Sequence, residues 1–269
     1  MKINVEKISL KDTCRICVIS DIHHIKTCNN KYYDNIFKQI ESLKPKYILI
    51  PGDIVDSPQI IKTIFISPLI LFLKKLASIA VVIISKGNHE QKKSKTHIKS
   101  FYKKISVIKN IYVLDNNSIT FNDYHFIGFC SSLNTHLKKY KKTWNKEFLK
   151  EFKKANLKYS DKKTIMLLHS PEIILNEEVY KQLPLEKVDY IICGHMHNGL
   201  VPKSFEKLFG NFGLCGPNYS FLPKYCRGIH KINKTQVIIC KSLRVLTKDK
   251  FLYRALDKLY QRNITIIDI

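Results

Sequence analysis

Arginine is scarce in this chain of 269 residues: among its 46 basic residues only Arg15, Arg227, Arg244, Arg254 and Arg262 are arginine, and the rest are lysine. Bidentate reading of base edges favours arginine, so the shortage argues against sequence-specific nucleic-acid recognition. Acids are few as well, 22 in number, which leaves a net charge of +24. A solvated lysine surface is the plain account of that charge. The functional account is attraction to a polyanion, either nucleic acid or an acidic membrane face. Ordered cysteine spacing is also missing. Eight cysteines are scattered along the chain, and Cys14 and Cys17 make the only CxxC. That pair sits in a stretch that reads as a strand, where residues three apart face opposite sides, so the two thiols are badly placed to share a zinc ion. Reduced thiols of a cytoplasmic protein are the expectation. The N-terminus, Met1 to Lys7, lacks the apolar core of a signal peptide. The most membrane-like stretch, Thr63 to Leu73, is only eleven residues long and contains Pro68, against the roughly 20 apolar residues that a spanning helix needs. A core-facing helix is expected there, and weak contact with an anionic membrane surface is the subsidiary reading.

What is present is the composition of a globular protein, 45% hydrophobic, long enough to bury a sizeable core. No internal repeat or low-complexity linker divides it, so a single domain over residues 1–269 is expected. Apolar runs alternate with helical spacings. Arg15 to Ser20 reads as a strand, Tyr32 to Leu43 as a helix stopped by Pro45, and Tyr47 to Ile50 as a buried strand. Ile60 to Leu76 reads as helix broken or started near Pro68, and Ala80 to Ser85 as a β-branched strand. This strand–helix alternation is the pattern of an α/β sheet. Short strands follow at Ile111 to Leu114, Ser118 to Phe121 and Tyr124 to Phe129. Leu137 to Lys163 carries eleven lysines and an apolar stripe of Trp144, Phe148, Leu149 and Phe152, the pattern of a lysine-covered surface helix. Thr164 to Leu168 and Val188 to Cys193 read as buried strands. A long Gly-, Pro- and aromatic-rich loop, Pro202 to Pro223, comes next. A hairpin of Gly228 to Ile232 with Gln236 to Leu243, a helix near Leu252 to Tyr260 and a strand at Ile264 to Ile267 complete the chain.

The organising stretch is Tyr47-Ile48-Leu49-Ile50-Pro51-Gly52-Asp53. A buried strand stops at Pro51-Gly52, and a carboxylate stands directly beyond the turn. Such a group is costly unless something positive meets it. Four other strands also end in residues of metal-ligand type: Asp21 and His23, Asn88 and His89, His169, and His195 with His197. Five of the ten histidines lie in these ends, whereas His24, His97, His125, His136 and His230 read as ordinary core or surface residues. In open α/β sheets ligands bind beyond the carboxyl ends of strands, so these ends can converge. Carboxylate, amide and imidazole without thiolate suit Mn, Fe or Zn, and there are enough donors for two ions. A central aspartate can bridge such a pair, which suits phosphoester hydrolysis.

Asp21-Ile22-His23, Gly52-Asp53-Ile54-Val55-Asp56, Gly87-Asn88-His89-Glu90, His169 and Gly194-His195-Met196-His197 resemble, in order, the five blocks of calcineurin-like metallophosphoesterases. The resemblance implies two mixed β-sheets packed as a sandwich flanked by helices, a four-layer α/β/β/α fold. It implies that Asp21, His23 and His197 hold one metal, that Asn88, His169 and His195 hold the second, and that Asp53 bridges them, with manganese favoured. It further implies that His89 protonates the leaving oxygen or stabilises the transition state, and that a metal-bridging hydroxide is the nucleophile. Asp56 and Glu90 are read as groups that orient the ligands, against simple capping of the following helix. The stretch after His197 is similar to the bacterial phosphodiesterase branch, although that branch usually continues with two glycines and a glutamine where Asn198-Gly199-Leu200 stands here. The expected activity is a metal-dependent phosphodiesterase acting on an anionic phosphoester. A metal-dependent nuclease, prompted by the charge, and a non-catalytic scaffold of the same fold are the alternatives.

Overall fold

A computed structural model describes residues 3–10, 14–62, 64–91, 95–217, 220–246 and 256–269. Two six-stranded mixed sheets form its centre. The first is built from β1 (Asn4–Ser9), β2 (Arg15–Val18), β3 (Tyr47–Pro51), β4 (Val81–Ser85), β5 (Ile111–Leu114) and β12 (Asn263–Asp268), in the order β1-β12-β2-β3-β4-β5. The second is built from β6 (Asn117–Phe121), β7 (Tyr124–Phe129), β8 (Lys163–Leu168), β9 (Tyr190–Cys193), β10 (Gly228–Ile232) and β11 (Thr235–Ile239), in the order β10-β11-β9-β8-β7-β6. Strands β2 to β5 run parallel, as do β7, β8, β9 and β11. The ends of β2, β3 and β4 therefore share one side of their sheet, and those of β8 and β9 share one side of theirs.

Strand alternation builds three apolar layers. On β3, Tyr47 and Leu49 face a core that also holds Val18, Ile83, Phe126, Ile165, Leu167, Ile192 and Ile238, residues of both sheets. Ile48 and Ile50 face the other way, against helices α1 (Asn30–Leu43), α2 (Ser67–Ile79) and α3 (Lys95–Ser106), through Ile36, Ile40, Leu73, Leu76, Ile98 and Ile105. A third layer packs Phe129, Met166, Leu168 and Ile191 against Trp144, Phe148 and Phe152 of helix α4 (Trp144–Ala155). Cys14 lies in the layer between the sheets and Cys17 in the layer beneath the helices, so the CxxC thiols do point apart.

Several boundaries differ from the sequence reading. Helix α2 starts at Ser67 with Pro68 in its first turn, where the missing N–H costs nothing. Residues Pro58–Lys62 and Ile64–Ile66 before it form 3-10 turns. The lysine-rich segment is helical only over Trp144–Ala155, because Asn156 adopts a left-handed conformation (φ 46°) and ends it. Lys138–Thr143 is a 3-10 turn. In the loop after Pro202 a short helix, Glu206–Phe209, interrupts the irregular chain. The second hairpin strand stops at Ile239 rather than Leu243. Of the C-terminal helix expected over Leu252 to Tyr260, residues 252–255 lie outside the described residues, and Asp257–Leu259 forms a 3-10 turn. Strand β1 and helix α3 were not expected. No helix among the described residues is long and apolar enough to cross a membrane.

Candidate metal centre

All five polar strand ends meet on one edge of the sandwich. Asp21, His23, Asp53 and His197 bring one donor atom each to within 4.8 Å of one another, and Asp53, His169 and His195 do the same. Asp53 is common to both groups. Asn88 joins the second group, with Oδ1 3.0 Å from His169 Nε2. Every one of the seven residues expected as ligands is thus brought together, and Asp21, His23 and Asp53 are at most 1% exposed.

Backbone carbonyls fix which ring nitrogens face inward. His169 Nδ1 lies 2.8 Å from Pro51 O, and His197 Nδ1 lies 3.1 Å from Arg244 O. A carbonyl only accepts, so each Nδ1 donates, and Nε2 is the nitrogen turned toward the site, the one that would ligate a metal. His23 Nε2 and His197 Nε2 stand 3.3 Å apart, and His169 Nε2 and His195 Nδ1 stand 3.2 Å apart. Asp53 Oδ2, buried, lies 3.2 Å from His169 Nε2 and 3.5 Å from His23 Nε2, yet it has no partner in hydrogen-bonding geometry among the described residues. Imidazole lone pairs converging on a buried carboxylate oxygen without a satisfying donor are what a divalent cation resolves. The donor set fits two such ions and contains no thiolate.

The turns that deliver these groups are conformationally demanding. Asp21, His23, Asp53, His195 and His197, five of the seven, have φ between 41° and 71°, a region that non-glycine residues avoid and that collects at functional sites. Gly52 makes the Asp53 turn possible: its φ is 99°, and a Cβ there would stand 2.5 Å from Gly87 N and 2.8 Å from His169 Nδ1. Glu90 ties the turns together. Its Oε2 accepts from the amides of Asp53 (3.0 Å) and Gly87 (2.8 Å), and its Oε1 accepts from Val55 N (3.1 Å). Glu90 therefore holds Asp53 through the backbone and does not cap a helix. Asp53 Oδ1 in turn accepts from the His89 amide at 2.8 Å.

His89 differs from the other imidazoles. Nδ1 donates to Asp56 O at 2.7 Å, and Nε2 lies 3.9 Å from Asp53 Oδ2. Its side chain is 16% exposed, against at most 5% for His23, His169 and His195. Asp56 Oδ1 is 3.5 Å from His89 Nδ1 and 3.7 Å from His23 Nδ1, close enough to orient both rings electrostatically.

With only protein charges acting, burial would raise Asp53, but the facing imidazoles of His169, His89 and His23 hold it well below the usual carboxylate range. Burial lowers His169, and the Asp53 carboxylate outweighs burial and brings it up to about 9. Burial drives His23 and His195 well below the ordinary histidine value, leaving them neutral and ready to ligate. Glu90 is pushed up to about 7 by burial and by Asp53, while its amide donors pull the other way.

Other residues at the site carried no signal in the sequence. Ser20 Oγ and Ser242 Oγ donate to Asp21 Oδ2 at 2.6 and 2.8 Å, and the His195 amide donates to Asp21 Oδ1 at 3.0 Å. Arg244 donates to His23 O at 3.3 Å. His136, read as an ordinary residue, is buried with its ring 5.2 Å from that of His195, and burial lowers it to about 3. Glu172 Oε2 lies 3.7 Å from His195 Nε2. Its place three residues after His169 was the one available hint.

A family model described as calcineurin-like phosphoesterase matches residues 14–199. No curated protein matches the chain significantly. Among solved structures the fold is similar to a dimetal phosphatase from Danio rerio (11% identity, 86% of this chain and 88% of that one, TM-score 0.45). It is also similar to the Pseudomonas putida nuclease MPE (11% identity, 68% and 61%, TM-score 0.32). A third likeness is to GAP50, the anchor in the inner membrane complex of Plasmodium (14% identity, 86% and 72%, TM-score 0.41).

Proposed function

The chain belongs to the calcineurin-like phosphoesterase family and is a metal-dependent phosphoesterase, and from that premise we propose that it is a phosphodiesterase working as one catalytic unit with two manganese ions. The observation that carries the reading is the pair of donor groups sharing Asp53. Asp21, His23 and His197 would hold the first ion with Asp53, and Asn88, His169 and His195 would hold the second with the same aspartate. Oxygen and imidazole donors without thiolate favour manganese or iron over a structural zinc site. When bound, such ions polarise phosphoryl oxygens and supply a nucleophile from water at neutral pH.

The chain's own residues do the rest. His169 Nδ1 and His197 Nδ1 stay on backbone carbonyls, which keeps their inward nitrogens aimed. His89 holds its Nδ1 proton on Asp56 O, with Nε2 turned toward Asp53 and the side chain 16% exposed, so a proton on Nε2 would be the one passed to the leaving oxygen. Glu90 holds the Asp53 and Gly87 turns against each other. Metal analysis of the purified protein, together with a screen of monoesters, diesters and nucleic acid, tests the reading. Turnover of small diesters with manganese supports it; no turnover of any diester by folded, metal-loaded protein overturns it. Cleavage of nucleic acid with affinity falling steeply in salt would move the reading to a nuclease.

A cytoplasmic site of action is supported by eight cysteines without ordered spacing, six of them buried in the fold. Weak contact with an anionic membrane surface is supported by exposed Phe205, Leu208, Phe221 and Tyr225, which stand among the exposed lysines Lys203, Lys207 and Lys224.

A further inference from the structure

His195 is turned the opposite way from the imidazoles around it. His23, His169 and His197 bring Nε2 to the site, whereas His195 brings Nδ1, which stands 3.2 Å from His169 Nε2. Its outward nitrogen is therefore Nε2. For His169 and His197 the outward nitrogen is Nδ1, and it rests on the carbonyl of Pro51 or Arg244. His195 Nε2 has no such carbonyl: it is buried and without a hydrogen-bond partner among the described residues. The group that faces it is the Glu172 carboxylate, with Oε2 at 3.7 Å, about half an ångström beyond a hydrogen bond. On the other side the ring of His136 meets His195 edge-on, with centroids 5.2 Å apart. Among the described residues no other carboxylate lies within ion-pairing distance of His195. Glu172 is held where it stands by its turn. Leu175 N donates to Pro171 O at 3.1 Å and Asn176 N donates to Ile173 O at 3.0 Å, and Ile173 and Ile174 are sunk in the apolar layer beneath helix α4. The turn that follows His169 thus delivers a carboxylate to the back of His195.

We propose that Glu172 is a positioning residue for the second ion: its carboxylate accepts the Nε2 proton of His195 and so keeps the Nδ1 lone pair aimed at the metal. The inference rests on the two-ion reading and goes further by assigning a residue outside the ligand set. A neutral imidazole carries one proton, so a ring that ligates through Nδ1 must keep it on Nε2. A carboxylate behind a metal-bound histidine fixes that tautomer, holds the ring against rotation and makes the ligating nitrogen more basic. His169 and His197 get this support from backbone atoms, which no substitution removes. His195 gets it from a side chain, so the second ion can be weakened selectively by one mutation.

The test is manganese binding to the full-length protein, with free ion followed by electron paramagnetic resonance and the coupled signal of a manganese pair recorded on the same samples. Wild type should take up two ions. Glu172→Ala should weaken one of them by about 10-fold to 100-fold, lose the pair signal at manganese concentrations that saturate wild type, and keep the other ion at wild-type affinity. Glu172→Gln, whose Oε1 can still accept from Nε2, should recover most of the lost affinity. Thermal melts of all three proteins separate positioning from a merely structural role: a destabilised turn would weaken both ions and lower Tm together, and that result would overturn the proposal. So would wild-type affinity for both ions in Glu172→Ala, or a Gln variant as impaired as the Ala variant. Wild-type protein that takes up no second ion would sink the two-ion reading and the proposal with it, whereas two-ion binding indifferent to Glu172 would sink the proposal alone.

Discussion

His89→Ala separates a proton donor from a metal ligand. The His89 side chain lies outside both donor groups that share Asp53. Its contribution to the Asp53 turn is made by the main chain, whose amide donates to Asp53 Oδ1 at 2.8 Å, and the substitution keeps that amide. Metal content should therefore stay at the wild-type level. What is lost is the Nε2 proton, and general-acid catalysis is typically worth about 100-fold to 10,000-fold, or roughly 3 to 5.5 kcal/mol of barrier. The loss should depend on the leaving group. An aryl alcohol leaves readily as an anion and needs little help, whereas an alkyl alcohol needs its oxygen protonated. The assay is kcat for matched aryl and alkyl diesters, with metal measured on the same samples by mass spectrometry. A large drop with alkyl esters, a small drop with aryl esters and unchanged metal are expected. Equal drops for both leaving groups, or loss of an ion, would refute the assignment of Nε2 as the donor.

Asp53→Asn keeps the shape of the shared residue but removes the charge that faces both donor groups, so metal analysis should show loss of ions and activity should vanish with them; retention of both ions would contradict the shared role. In Glu90→Gln the amide nitrogen of the new side chain must face a backbone N–H of Asp53, Val55 or Gly87, leaving buried donors unmet at a cost of ~1–3 kcal/mol. Calorimetry should show Tm falling by roughly 2–4 °C per kcal/mol, and an unchanged Tm would rule out the tie. Burial, opposed by the Phe65 carbonyl, lowers His24 to about 4 from an ordinary value of 6.5. As the pH falls the unfolded chain takes up this proton first, so the stability linked to neutral His24 is full above pH 6.5 and is lost on the way down to about 4, on the order of 3 kcal/mol. Thermal melts across that window should fall less steeply for His24→Gln than for wild type, and parallel profiles would refute the linkage.

The fold was most legible where a strand is buried on both faces. β3, β4, β8 and β9 show as unbroken apolar runs because helices or the second sheet cover each side. β1 did not show. Its sequence Asn-Val-Glu-Lys-Ile-Ser is only half-buried at a sheet edge, and it becomes a strand by pairing with β12, some 259 residues away. Helix α4 was legible in its Trp144, Phe148 and Phe152 face but not in its end, which the left-handed Asn156 decides.

For the site, the sequence by itself determined the donor chemistry: five strand ends carry Asp, Asn and His, and the type and order of those residues suffice to name a two-ion phosphoesterase. The tertiary structure decided what holds those donors in place and what lies beside them. Ser242 and Arg244 brace Asp21 and His23 from more than 200 residues away in the chain. Pro51 and Arg244 fix two ring tautomers through their carbonyls, which any residue type offers equally. The groove that Asp56 helps line exists only because residues 24–26 and 56–60 are folded against each other. Side-chain identity is written in the sequence, whereas contacts through backbone atoms and empty space between distant segments arise only once the chain has packed.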